Sequence, residues 1–358
     1  MKKFQPRTFI KLFLLVFLAL IASTIIFNLI IDPFELHNVI VIEKLNKKKS
    51  ELSDKGRLYQ AIQIVDKKPQ AIILGSSRAK LGIDPADLSN ILNGIKTCNV
   101  AFEGATFDEI YEYFLHALHN QPNLKCVVIG LDVFAFNKKL DFRSGFSKQR
   151  LQIDNRWHSD IFDSLATYNA LSASIKTVKN NYLNLPSSNP ILAFGEVNWL
   201  KQIFRSQEWY SDYKICDKKI QKFSNLVRIC QDKHIDLKVF FNPCKAIYWE
   251  FFHHFDMWPV VVELKERLSD IYPIWDFSGF NLITTEALKI EGPPLYIDCS
   301  HYSPQVGKYL LNIMFKEGNK SNEVYLLTPS SRNSVNDNIL EAREKWVEKN
   351  QQFVRKRL

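Results

Sequence analysis

Residues 12–31 are apolar except for Ser23, Thr24 and Asn28, and about 20 such residues are what a helix needs to cross the hydrocarbon core of a bilayer. No other segment constrains the chain as strongly, because whatever follows must fold at a membrane or beyond one. Lys2, Lys3, Arg7 and Lys11 precede the run, whereas Asp32 and Glu35 follow it. The positive-inside rule therefore puts the N-terminus in the cytoplasm and the remainder on the periplasmic side of a bacterial inner membrane. The basic run Lys47-Lys48-Lys49 opposes this orientation only weakly, since it lies well past the helix end. A cleaved signal peptide is the competing reading, with Ala22-Ser23-Thr24 as its small-residue site. The run nevertheless continues through Ile25, Ile26, Leu29, Ile30 and Ile31, beyond an ordinary signal-peptide core. Both readings export the domain.

The remainder has the composition of a folded domain. Of 358 residues, 46% are hydrophobic and 24% charged, which excludes a largely disordered or largely lipid-buried chain. The net charge of +9 suits an anionic surrounding. The basic residues are dispersed, clustering only at 47–49 and at Arg355-Lys356-Arg357 without interleaved aromatics, so no nucleic-acid partner is expected. Cys98, Cys126, Cys216, Cys230, Cys244 and Cys299 form no Cys-x-x-Cys pair and no zinc spacing; neither a metal nor a cofactor is expected, and no disulfide pairing can be assigned.

Beyond Pro33, residues 32–68 read as a polar, helix-rich neck. Short apolar runs then alternate with helical periodicity. Ala71-Ile72-Ile73-Leu74, residues 99–102, 125–131, 237–241 and 274–276 are expected strands, several continuously apolar as in strands covered on both faces. Helices are expected from the Thr106/Glu109 capping box through Leu118, over 218–233, over 260–270 and from near Pro304. Such alternation implies parallel pairing through right-handed crossovers, hence an α/β fold built as a three-layer α/β/α sandwich over residues 69–315. Residues 141–199 fit the alternation poorly and read as an insertion or cap, helical near 160–179. Residues 316–358 read as a polar tail, mobile over 328–338, with a terminal helix over 339–354 bearing Trp346, Val347 and Phe353.

In open α/β sheets, ligands bind beyond the carboxyl ends of the strands. The residues there are Gly75-Ser76-Ser77-Arg78 after the first strand, Gly104 after the second, Gly130-Leu131-Asp132 at the third and Asn242-Pro243 after the fourth. Asp298-Cys299-Ser300-His301 follows the last strand. A serine hydroxyl becomes a nucleophile when an imidazole takes its proton, and the imidazole needs a carboxylate to fix its tautomer. Ser77, His301 and Asp298 supply those three roles. Ser76, Arg78 and Asp132 are candidates for substrate contact, and Asn137 lies close in sequence to the same strand end.

This pattern resembles the SGNH (GDSL-like) hydrolase superfamily, especially membrane-anchored members associated with acylation of cell-envelope polysaccharides. The resemblance spans about residues 69–314. It implies Ser77 as nucleophile in a block reading Gly75-Ser76-Ser77, Gly104 as an oxyanion donor, and Asp298 with His301 as the late Asp-x-x-His dyad. Two positions depart from the family pattern: Ser76 replaces the aspartate of the first block, and Asp132 stands where an asparagine amide would donate to the oxyanion. A carboxylate cannot donate unless protonated, so Asn242 or Arg78 becomes the substitute donor.

The expected activity is that of a serine esterase or O-acyltransferase. Its substrates would be acyl, chiefly acetyl, esters of an envelope polysaccharide, with a multispanning acyl-transfer protein as an implied partner. A noncatalytic polysaccharide-binding or assembly protein and a lipid esterase are the alternatives. His253 and His254 with Asp256 are read as structural rather than as metal ligands. Trp249, Phe251, Phe252, Phe255 and Trp258 suit a core more than a sugar cleft, and Asp276 suits a turn.

Overall fold

The computed structural model describes residues 6–151, 158–185, 190–206, 208–315, 325–352 and 354. In chain order the helices are α1 (Pro6–Ile31), α2 (Gly56–Lys67), α3 (Ser77–Gly82), α4 (Pro85–Ile91), α5 (Phe107–Asn120), α6 (His158–Leu165) and α7 (Tyr168–Tyr182). They continue as α8 (Pro190–Phe194), α9 (Glu196–Arg205), α10 (Asp217–Asp232), α11 (Ala246–His254), α12 (Trp258–Ser269), α13 (Pro304–Phe315) and α14 (Arg332–Lys349). The strands are β1 (Ala71–Leu74), β2 (Thr97–Asn99), β3 (Cys126–Leu131), β4 (Asp236–Phe241), β5 (Ile274–Asp276) and β6 (Tyr325–Leu327). Two compact units result, one of residues 1–62 with 147–188, the other of 63–146 with 189–358.

The first unit is helical. At about 1.5 Å per residue, the 26-residue α1 is long and apolar enough to cross a membrane, and its surface is largely exposed. Its C-terminal end packs against α6 and α7, where buried Asn28 donates through Nδ2 to the Leu165 carbonyl at 2.7 Å. Phe34, Ala170 and Ala173 form a small core beside it. The expected neck and insertion are therefore divided differently from the sequence reading: residues 32–62 and 147–188 fold together, while 189–199 belong with the sheet. Such partnership between distant polar segments leaves no local periodicity to read.

The second unit is α/β. Its six strands run in the order β2-β1-β3-β4-β5-β6, all neighbours parallel except the β5/β6 pair. β1 and β3 are buried throughout, which explains runs without alternation. Strand order reverses at β1, which pairs with β2 on one side and β3 on the other, and this opens a crevice at the carboxyl ends of β1 and β3. The second strand is shorter and earlier than expected; Val100 and Phe102 lie just past it, donating to the Ile73 and Gly75 carbonyls. The polar tail also differs from expectation. β6 closes the sheet edge, and α14 begins at Arg332 within the segment read as mobile, burying Val335 and Ile339. Three strand residues and two widely spaced apolar anchors are too few to register as a pattern. Phe353, Arg355-Lys356-Arg357, Lys2 and Lys3 lie outside the described residues.

One helix crossing fixes the site geometry. α3 and α13 meet so closely that a Cβ on Gly307 would fall 1.7 Å from the Gly82 carbonyl oxygen, and one on Gly82 would fall 2.0 Å from the Tyr302 ring. Only glycine permits such an approach. Gly307→Ala is expected to force the two backbones apart and destabilise the protein by about 3 kcal/mol, read as a lowered urea midpoint of the full-length protein in detergent.

Candidate active site

Gly75 follows β1 directly, and its φ of +148° and crowded surroundings exclude a side chain: a Cβ there would meet the Ala79 Cβ and the Gly130 oxygen, each at 2.9 Å. The chain turns over β3 and enters α3. Ser76 caps that helix, its hydroxyl accepting from the Arg78 amide at 3.3 Å. Ser77 therefore becomes the first helical residue at the crevice mouth. From the far end of the domain, residues 298–301 fold into a tight turn before α13. The Asp298 Oδ1 accepts from the Ser300 amide at 2.8 Å and the His301 amide at 3.0 Å.

These two loops meet. The Ser77 Oγ lies 2.8 Å from the His301 Nε2, across 224 residues of sequence. The His301 Nδ1 lies 2.9 Å from both carboxylate oxygens of Asp298, whose side chain is 1% exposed. A carboxylate only accepts, so Nδ1 carries the imidazole proton and Nε2 keeps a lone pair for the Ser77 hydroxyl. The arrangement can activate an alcohol for attack on a carbonyl or phosphoryl centre.

Ser77 and His301 open into a cavity of about 320 Å³. Gly104 borders it, as do two tryptophans, Trp199 on α9 and Trp209, with Gln202, Ser206 and Glu208 between them in sequence. Gly104 sits under Trp209, since a Cβ there would lie 3.4 Å from the indole Cη2. The Arg143 guanidinium covers the Trp209 ring at 4.9 Å and pairs with Glu208. Asn137 donates to the Trp209 carbonyl at 2.9 Å, so it props the cleft wall instead of facing an oxyanion. The cleft wall residues were invisible to sequence reasoning because they belong to the insertion and its exit, where no motif marks them.

The remaining candidates form a buried polar layer beneath the cleft. Arg78 pairs with Asp132, donates from Nε to the Ser300 Oγ at 2.9 Å, and stacks over Tyr248 with its Cζ 4.7 Å from the ring centre. Burial opposes its charge, yet the Asp132 carboxylate, with smaller contributions from Cys244, Tyr248 and Tyr210, leaves the guanidinium pKa raised above its ordinary value. Its edge also lines the cleft. Asp132 does not. It is buried against Arg78 and accepts from the Asn242 Nδ2 at 3.1 Å.

Three expected roles are thereby corrected. Asp132 and Ser76 are buried by their partners and make no wall of the cleft, so neither is a substrate contact. Asn242 spends its amide on the Leu131 carbonyl and Asp132, both at 3.1 Å, while its Oδ1 accepts from the Tyr302 hydroxyl at 2.9 Å, so it does not face an oxyanion.

Tyr248 and Tyr210 hydrogen-bond to each other, and burial pushes both phenols up, keeping them neutral. The aromatic run on α11 is core: Trp249, Phe251 and Phe252 are buried, with Phe251 and Phe252 packing around Phe204. His253 stacks on Trp258, and burial lowers its pKa to about 3. Asp276 is more than a turn residue, since it pairs with the buried Lys265 at 2.8 Å. Among the described residues, no group of three or more His, Cys, Asp or Glu is arranged to hold a metal ion. All six cysteines are free, and burial pushes the Cys126 and Cys244 thiols up to about 12.

No protein-family model matches this chain, and no curated protein matches it.

The layer makes a sharp statement about position 132. Asp132→Asn would install the amide of the SGNH pattern yet leave Arg78 charged, buried and without its counterion. Breaking a buried pair in this way is expected to destabilise the fold by about 3 kcal/mol, measured by urea unfolding.

Proposed function

We propose that this protein is a membrane-anchored, outward-facing serine esterase or O-acyltransferase of the SGNH type, acting on acyl esters of an envelope polysaccharide. The observation that carries the reading is the continuous hydrogen-bonded path from the Ser77 Oγ through His301 to Asp298.

The chemistry follows from that path. The Ser77 oxygen attacks the ester carbonyl while its proton passes to the His301 Nε2, and the Asp298 carboxylate stabilises the imidazolium. The carbonyl oxygen becomes an oxyanion. Amide donors for it are those of Ser77, in the unpaired first turn of α3, and Gly104. Collapse of the tetrahedral adduct expels the alcohol, which takes the proton from His301 and leaves an acyl group on Ser77. Water or an acceptor hydroxyl then gives its proton to His301, attacks the acyl carbon and regenerates Ser77. Water makes the protein an esterase; a sugar hydroxyl makes it a transferase.

Support for a glycan comes from the cleft. Two indoles with Gln202, Glu208 and Ser206 combine flat apolar faces with hydrogen-bonding groups, as a sugar ring requires. Support for anchoring comes from α1 and the charge asymmetry around it. The polar layer also weakens the case for a noncatalytic relative, because Asp132 is consumed in neutralising Arg78 and leaves the Ser77–His301 contact unobstructed.

Purified full-length protein incubated with acetylated polysaccharide is expected to release acetate or transfer it to an added glycan. Ser77→Ala is expected to reduce that rate at least about a thousandfold. Turnover of phospholipid esters with none of acetylated glycan would instead make it a lipid esterase.

A further inference from the structure

The first unit carries a feature that the reaction does not use. Val39, Ile40, Val41 and Ile42 are exposed in succession, at 59%, 47%, 65% and 38% of their surfaces. Single exposed apolar residues are ordinary, but four in a row are not. The turn that leads into the run is held by Asp32, buried where α1 ends, which accepts from the amides of Leu36, His37 and Asn38 at 2.8, 3.1 and 2.8 Å.

The position of the run is fixed as firmly. Asn46 is fully buried, and its Nδ2 donates to the Ile30 carbonyl at 2.7 Å and to the Ile40 carbonyl at 2.9 Å. Its Oδ1 accepts from the Ile42 amide at 2.7 Å. One side chain thus clamps the apolar run beside the last turn of α1. The Ile42 carbonyl also accepts, from the Leu45 and Asn46 amides. Satisfying these backbone groups internally lowers the cost of leaving water for a medium that offers few hydrogen bonds. A second apolar pair, Ile161 and Phe162, is exposed on α6, the helix whose Leu165 carbonyl accepts from Asn28 on α1.

We propose that residues 39–42, with Ile161 and Phe162, form an interfacial membrane-docking surface that lies in the headgroup and upper acyl region of the leaflet from which α1 emerges. The proposal rests on the reading that α1 spans the bilayer. Lipid is the favoured occupant because Asn46 ties the run to the Ile30 carbonyl, in the last turn of a helix whose exposed Ile26 and Ile30 a bilayer covers on that reading. Exposed Lys44 and Lys48 follow it closely, as basic residues do beside anionic headgroups. The membrane contact would then be a helix plus a collar, which fixes the rotation and tilt of the first unit where a helix alone leaves both free.

The test uses full-length protein in vesicles of phosphatidylethanolamine and phosphatidylglycerol. A nitroxide is attached at Val41→Cys and at Phe162→Cys, with Val16→Cys as the hydrocarbon reference and exposed Lys233→Cys as the water reference. Wild-type protein taken through the same labelling gives the background of the native thiols. Collision with oxygen is compared with collision with a water-soluble nickel chelate. The expected result is an oxygen-to-nickel ratio at positions 41 and 162 several-fold above that at 233 and approaching that at 16. A ratio at 41 equal to that at 233, with 16 in lipid, overturns the docking surface alone. Shielding of 41 from both reagents, with 16 in lipid, means a protein covers the run and also overturns it. A water-like ratio at 16 removes the membrane span itself and the proposal with it.

Discussion

The contact between the Gly82 carbonyl and Gly307 decides the rest of the second unit. It allows α3 and α13 to cross at backbone distance, and each helix presents one of the two residues of the Ser77–His301 contact at or near its N-terminus. Ser77 opens α3, and His301 lies three residues before Pro304, the first residue of α13. Side chains at the crossing would push the two backbones apart and so disturb the 2.8 Å contact between the hydroxyl and the imidazole. Tyr302 tightens the same joint, since its ring lies on Gly82 and its hydroxyl reaches Asn242 at the end of β4. Ser77 and His301 are thus held by the sheet as well as by each other.

Beneath them the charges are arranged for neutrality. Arg78 follows Ser77 directly and would be costly to bury alone. Asp132 from β3 balances it, Asn242 from β4 holds Asp132, and Ser300 from the Asp298 turn accepts from Arg78. One polar layer therefore ties the ends of β3 and β4 to the loops that carry Ser77 and His301. It also explains why a carboxylate can occupy position 132: its partner is a guanidinium, and the amide expected there would serve no buried charge. In the proposed reaction, oxyanion stabilisation then falls to backbone amides, which need no side chain and leave no trace in the sequence.

What was legible from sequence follows from the range of each signal. β1 and β3 were readable because strands covered on both faces are continuously apolar, and α5 because its Thr106/Glu109 capping box is local. Ser77, His301 and Asp298 were readable because each follows such an element in a fixed order. Roles that depend on partners were not: nothing near Asn242 announces that its amide is spent on Asp132. The cleft tryptophans, the three-residue β6 and the collar clamped by Asn46 were hidden for the same reason, each being defined by chain segments remote in sequence.

The account stands on Ser77 being a nucleophile activated by His301. Its most direct measurement is covalent labelling of the folded full-length protein with a fluorophosphonate, with the modified peptide located by mass spectrometry. The account expects a single adduct on the Ser77 oxygen, absent from Ser77→Ala and far slower to form in His301→Ala. Equal labelling of wild-type and Ser77→Ala protein, or no labelling of folded wild-type protein, would contradict it.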